Sequence, residues 1–371
     1  GINMYASVLV DPAAAPDRRY EMYLLRTPAY GFDRPDLHGL HTDLIIDGLP
    51  LPAGKSTHES GVYRYVSPDG IRWKPVAGPV LIHQQQPRNV SYRAYLGTSD
   101  GVFVYRGSDG GYVVYHKISE PMHPGGLAPY DVASPRRRVI VRRTSSDGVD
   151  FGPYELVMAP DWRDPHDLQF MELTSTPVEG GYLGIATCYH PLTQTIDLQF
   201  AGSADGRHWR RPARLPCLPL ASLGDYGGGM VWPTHHLVED GGGMFVYYGA
   251  LEGLHGDASQ DEPSIWQFNG AICRARWDQG RYWAAVPGPG GNMEASLTTH
   301  PLAVGGKRLS INAATVKDGV LRAELFDRAG KPVNGFGLDD FDPWRGDAKA
   351  AQLRGAGGEL CPVDVAAVRF H

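Results

Sequence analysis

The densest group of residues able to move protons lies in Trp162-Arg163-Asp164-Pro165-His166-Asp167. An arginine, a histidine and two aspartates this close together are expected to set the two carboxylates in unlike environments, so that one could serve as an acid or a base. A second group is Trp232-Pro233-Thr234-His235-His236, followed by Glu252 and His255 beyond Val246-Tyr247-Tyr248. An indole face with paired imidazoles suits stacking on a sugar ring and bonding its hydroxyls, and His190 belongs to the same candidate set. Two carboxylates stand at strand boundaries: Asp11, closing Val8-Leu9-Val10, and Asp100, before Val102-Phe103-Val104-Tyr105, with Arg88 and Arg93 upstream. Each residue also has a plain structural reading. An Asp-Pro or Asp-Gly pair at a strand end initiates a turn, and a histidine often serves as a bonded core or rim group. A metal site from His166, His190 and His235 is an alternative use of the same side chains.

The elements that must carry these groups show in a repeat. Ser67-Pro68-Asp69-Gly70-Ile71-Arg72-Trp73, Ser145-Ser146-Asp147-Gly148-Val149-Asp150-Phe151 and Ser203-Ala204-Asp205-Gly206-Arg207-His208-Trp209 share the pattern Ser-x-Asp-Gly-x-x-aromatic. Asp-Gly supplies a turn with positive φ, the serine hydroxyl bonds turn amides, and the aromatic packs back over the bend. An alternating strand precedes each copy, such as Val62 to Val66, and the spacing of the copies suits a four-stranded blade with a variable loop. Four blades can be read, over about 4–80, 88–158, 164–215 and 227–288, so residues 1–290 are expected to form an all-β propeller. After Gly288-Pro289-Gly290-Gly291 the signature ends, and strands over 296–371 are expected to build a C-terminal β-sandwich, with a fifth blade as the alternative. In a propeller the innermost strand of each blade lines a central channel, where a site would sit.

Composition agrees. The 47 glycines and 30 prolines among 371 residues are too many for long helices. A formal net charge of −6, with no long run of either sign, argues against nucleic acid or an anionic membrane and for a neutral or modestly polar ligand. There is no apolar run long enough for a membrane helix, and Gly1-Ile2-Asn3-Met4 carries no signal-peptide pattern. Cys188, Cys217, Cys273 and Cys361 form no CxxC pair, so neither a zinc site nor a small disulfide scaffold is indicated. No cofactor is expected, although a central structural metal ion is compatible with the channel. Self-association is left open.

Asp11-Pro12 followed by Tyr20-Glu21-Met22-Tyr23, the triplet Arg163-Asp164-Pro165 and the trailing sandwich resemble the furanosidase-type glycoside hydrolases of families 32 and 43. The resemblance implies a five-bladed propeller, with a sandwich as in the fructosidases, and hydrolysis of an oligo- or polysaccharide by paired carboxylates. It implies Asp11 as nucleophile or base, Asp164 as transition-state stabiliser and Arg163 as a contact to substrate hydroxyls. The fructosidases' Trp-Met-Asn before the first aspartate and their Glu-Cys acid segment are missing, so Glu252 is taken as the acid, with Glu59 and Glu294 behind it. The expected site is therefore Asp11, Asp100, Asp164, Asp167 and Glu252 for chemistry. Arg93, Arg163, His166, His190, Trp232, His235, His236 and His255 are expected to bind substrate. This substrate class favours a periplasmic or secreted enzyme of exo-acting, furanoside-type specificity. A polysaccharide lyase using His, Tyr and Arg, or a glycan-binding propeller without catalysis, are the competing readings.

Overall fold

The computed structural model describes residues 2–27, 61–82, 101–121, 136–255, 269–287, 295–362 and 365–371. The chain divides into two compact units, Gly1–Trp277 and Asp278–His371. The described residues hold strands and short 3-10 turns and no α-helix, as the density of glycine and proline requires.

The first unit is a series of antiparallel meanders. Strands β1 (Ile2–Val10), β2 (Tyr20–Thr27), β3 (Gly61–Ser67) and β4 (Lys74–Ile82) form one four-stranded sheet, in that order. The next contains β5 (Val102–Arg106), β6 (Tyr112–Pro121), β7 (Arg136–Ser145) and β8 (Glu155–Met158). The meander continues with β9 (Gln169–Leu173), β10 (Thr176–Val178), β11 (Gly181–His190) and β12 (Thr195–Ser203), in which β11 lies between β9 and β12. A single parallel pair, Ile196 with Met230, joins it to β13 (Met230–Pro233), β14 (Val238–Asp240), β15 (Gly243–Leu251) and β16 (Gly270–Asp278). The first strands adjoin, β1 against β5 and β5 against β9, which is the way propeller blades present their inner strands. Strand β11 is buried along most of its length, so its near-continuous apolar run is that of a strand covered on both faces.

The Ser-x-Asp-Gly repeat closes the outer hairpins. In all three copies the serine Oγ accepts from the glycine amide at 2.9 Å, and the aspartate Oδ1 accepts two further amides at 2.8–3.0 Å. This holds the carboxylate of Asp147 at a pKa of about 2, chiefly through the amides of Asp150 and Val149. The second and third bends are also docking points for the preceding sheet. Tyr23 on β2 donates its hydroxyl to the Gly148 carbonyl at 3.0 Å, and Tyr115 on β6 donates to the Gly206 carbonyl at 2.6 Å. Between the first two sheets, buried Glu21 accepts from Tyr112 at 2.9 Å and pairs with Arg64 and Arg106 at 3.1 and 3.0 Å. A buried charge held by three donors in this way fixes how two sheets meet.

In the second unit, β17 (Leu297–Thr298), β21 (Val365–Phe370) and β19 (Ala323–Asp327) form one sheet, and β18 (Leu309–Ala314) pairs with β20 (Asp347–Leu353) in another. Ile311, Ala351 and Leu353 from one sheet share a core with Leu325, Val365 and Val368 from the other, which makes a small β-sandwich.

Two outcomes are expected. A Cβ on Gly148 would lie 2.2 Å from the Tyr23 hydroxyl at φ +73°, whereas one on Gly110, at φ +82°, meets nothing. Gly148→Ala should cost ~2–5 kcal/mol in urea unfolding, and Gly110→Ala only ~1–2 kcal/mol. His116 is fully buried and neutral, with its pKa lowered to about 3 by burial and by Arg143; its Nε2 accepts from Arg143 Nε at 3.2 Å. Because the unfolded chain takes up this proton near the ordinary value of 6.5 and the folded chain does not, stability should fall as pH drops from 6.5 towards 3. His116→Gln should flatten the slope of Tm against pH over that window while lowering Tm at pH 7, as read by thermal melts.

Candidate functional site

The first strands of the four meanders each send residues to one cavity of about 630 Å³. Tyr5, Ala6 and Val8 come from β1, Phe103 from β5 and Glu172 from β9, and Trp232 and Pro233 from β13 continue into Thr234, His235 and His236. Strand β1 reaches the cavity through an irregularity. Its pairing with β2 slips between Met4 and Ser7, and Tyr5 sits there at φ 56°, a left-handed conformation costly for a tyrosine. The slip lets Tyr5 meet Phe103 edge-on at 6.3 Å, while buried Ser7 accepts from the Val104 amide at 3.0 Å and pins β1 to β5. Gly101 performs the matching task between β5 and β9. At φ +73° its missing Cβ would fall 2.3 Å from the Met171 carbonyl and 3.2 Å from Cγ of Glu172, so only glycine permits the approach.

Glu172 brings a carboxylate to the wall although only 1% of its surface is exposed, and Thr187 Oγ1 donates to its Oε2 at 3.4 Å. Tyr105 supports the opposite wall. Its ring stacks on His235 at 5.1 Å, its hydroxyl donates to the His235 carbonyl, and the same oxygen accepts from the Ser175 amide at 3.0 Å. Burial, opposed by the Ser175 bond and reinforced by Tyr115 and Glu172, holds that phenol well above its ordinary pKa, so it remains a donor. His235 is pushed down to about 3 by burial and then by His236, against a smaller opposing effect from the Val104 backbone. Burial also lowers His236. Their Nδ1 atoms lie 3.0 Å apart, so one imidazole donates from Nδ1 and the other accepts there. Two neutral rings in complementary tautomers, a carboxylate and an indole can bind a polyhydroxylated ring and exchange a proton with it.

The structure brings Trp232, His235 and His236 of the expected set into this wall. Asp11 stands at the β1–β2 turn: its amide donates to the Arg19 carbonyl at 2.9 Å, Oδ1 accepts from the Ala13 amide at 3.0 Å, and Oδ2 lies 3.6 Å from Arg106. That is the turn-initiating use of an aspartate. Asp164, its side chain 1% exposed, pairs with Arg211 at 2.5 Å and Arg214 at 2.8 Å, and accepts from the Asp161 amide at 2.9 Å. It is thus the hub of an ion-pair network beneath the loop, whereas Arg163 and His166 are exposed.

Asp167, His190 and His255 gather elsewhere, where β11 turns into β12. His190 Nε2 lies 2.7 Å from Asp197 Oδ2, Asp167 accepts from the Leu192 amide at 3.1 Å, and the His255 ring lies 4.5 Å from that of Tyr189. Burial would lower the His190 pKa, but Asp197, with help from Asp167, raises it. Glu252 follows β15 and donates its amide to the Asn269 carbonyl at 3.2 Å. Arg93, Asp100, Glu59 and Glu294 lie outside the described residues. Among the described residues no group of three or more His, Cys, Asp or Glu is placed to hold a metal ion, and the four cysteines are free.

Sequence reasoning missed Glu172, Tyr5 and Phe103. Glu172 did leave a signal, because a charged residue within Gln169-Phe170-Met171-Glu172-Leu173, a strand buried at every position, needs a polar reason to be there.

No protein-family model matches the chain, and no curated protein matches it either. Among solved structures it is similar to a protein described as a glycoside hydrolase (12% identity, TM-score 0.43), over 74% of this chain and 66% of that one. It is also similar to a family 117 glycoside hydrolase of the marine bacterium Zobellia galactanivorans (14% identity, TM-score 0.38), over 76% of this chain and 87% of that one. A third likeness is to the sucrose-6-phosphate hydrolase of Lactobacillus gasseri (10% identity, TM-score 0.37), over 100% of this chain and 90% of that one. The chain thus spans about two thirds of the length of the first of these.

The Asp164 network generates its own expectation. Asp164→Asn should cost ~3–5 kcal/mol because it leaves buried Arg211 without its charge partner, while His166→Ala on the exposed loop should stay within ~0.5 kcal/mol. Urea titration of both variants checks the contrast.

Proposed function

We propose that this protein hydrolyses a glycosidic bond in the cavity where the first strands of the four meanders meet, with a terminal sugar of furanoside or related type seated there. The observation that carries the reading is the convergence of Glu172, Trp232, His235 and His236 on that cavity, which falls within the ~300–1,000 Å³ of small-molecule sites. Trp232 offers a face for the apolar side of the sugar, and His236, exposed and held in one tautomer by its Nδ1 contact with neutral His235, offers its Nε2 to the hydroxyls. Glu172 is assigned as one carboxylate acting at the anomeric centre. Glycoside hydrolysis by two carboxylates uses one to protonate the leaving oxygen and the other to attack or to activate water. Asp100 is assigned as the second on sequence grounds.

The test is turnover of a panel of aryl furanosides and pyranosides by Glu172→Gln, Asp100→Asn and Trp232→Ala, each with its Tm recorded. Glu172→Gln and Asp100→Asn should lose ~10²–10⁴-fold in kcat, and Trp232→Ala should act mainly on KM. Near-wild-type turnover by a folded Glu172→Gln overturns the assignment. Among the described residues lining the cavity Glu172 is the one carboxylate, which favours, as second reading, a glycan-binding propeller. Saturable saccharide binding without turnover by the unaltered protein would select it.

A further inference from the structure

The second unit carries a separate cavity of about 310 Å³, lined by Arg308, Gln352, Leu353, Arg354 and Glu359. Three backbone segments build it. Pairing of Ser310 with Gln352 and of Leu309 with Leu353 sets the start of β18 beside the end of β20, and Arg308 bridges to Leu360 on the segment that brings in Glu359. Leu353, 5% exposed, belongs to the core below. The loop between Arg354 and Glu359 is held from the opposite side. A Cβ on Gly357 would lie 2.3 Å from the buried Phe336 ring, and the Gly357 and Ala356 amides donate to Gly335 and Asp340 at 2.9 and 2.8 Å. The wall is therefore fixed although its charged side chains face solvent.

The charges in it do not balance. Arg308 Nη2 lies 3.3 Å from one oxygen of Glu359, and Arg354 Nη2 lies 3.1 Å from the other, so two guanidinium groups share one carboxylate. Both arginine side chains are about two-thirds exposed, and a guanidinium has five donors in a planar fork shaped for carboxylates. One net positive charge remains, beside an amide, Gln352, that can donate to and accept from hydroxyls. We propose that this cavity is a binding site for a carboxylate-bearing saccharide, a uronate oligosaccharide, whose carboxylate engages the two arginines alongside or in place of Glu359. The saccharide carrier rests on reading the first unit as a glycosidase, while recognition of the carboxylate does not.

Calorimetric titration of the full chain with trigalacturonate and with neutral galactotriose tests it, on the unaltered protein, Arg308→Ala/Arg354→Ala and Glu359→Gln. Trigalacturonate should bind more tightly than its neutral counterpart at low salt and weaken as salt rises. The double variant should lose about tenfold in that affinity, and Glu359→Gln, which removes the competing carboxylate, should gain several-fold. Equal affinity for the acidic and neutral sugars, or unchanged trigalacturonate binding by a double variant of unaltered Tm, overturns the proposal. Binding is read here without turnover, so failure of the glycosidase reading shows separately, in the Glu172→Gln assay.

Discussion

A tyrosine hydroxyl donating to the carbonyl at the bend of the next sheet's outer hairpin is the interaction on which the first unit depends. Tyr23 reaches Gly148 and Tyr115 reaches Gly206 in the same way, one meander apart. A single bond of this kind contributes only ~0.5–1.5 kcal/mol, but it sits where two sheets must agree in angle, and the ring beneath it excludes water from the seam. The bend offers its carbonyl in the right place because serine and aspartate side chains have already collected its amides. Local turn chemistry and long-range packing are thus one device, used repeatedly. Where the seams are set, the first strands are set too, and with them the spacing of the residues around the cavity.

The seam between the first two sheets adds charge to this. Glu21 is buried with Arg64, Arg106 and Tyr112 around it, and Arg64 also reaches the Asp147 carbonyl at 2.8 Å. A wrong angle between these sheets would strand a buried carboxylate, which is far more costly than losing apolar contact. Arg142 and Arg207 hold Glu155 in a comparable way one seam further on, at 2.5 and 2.9 Å. Around the cavity the same logic works at smaller scale, through the Tyr5 slip and the Gly101 contact.

Much of the fold was legible because its signals are local. Ser-x-Asp-Gly-x-x-aromatic is a seven-residue pattern whose hydrogen bonds close within itself, so the sequence displays them directly. The site was only partly legible, and the reasons differ by residue. Trp232, His235 and His236 could be found because an indole and two imidazoles cluster along the chain. Glu172 was hidden inside an apolar strand, and its place on the cavity wall follows from which strands become neighbours, a matter of distant residues. For Asp164 the triplet Arg163-Asp164-Pro165 is local, but its ion-pair partners, Arg211 and Arg214, lie some fifty residues on and show only in the fold. Asp11 was ambiguous in the sequence because one carboxylate at a strand end serves a turn as readily as a reaction, and the structure shows its turn bonds.

The contact between His235 and His236 carries a rule of parity. With 3.0 Å between the two Nδ1 atoms there is room for one proton and not for two. Whichever ring holds it must leave its own Nε2 bare, and the other ring must then carry a proton on Nε2. The two Nε2 atoms are therefore always unlike, and exchanging them takes a second proton, because shifting the shared one alone would leave an imidazolate beside an imidazolium. Such a pair couples the buried Nε2 of His235 to the Nε2 of exposed His236 through one proton, so whatever bonds the outer ring fixes the tautomer of the inner one.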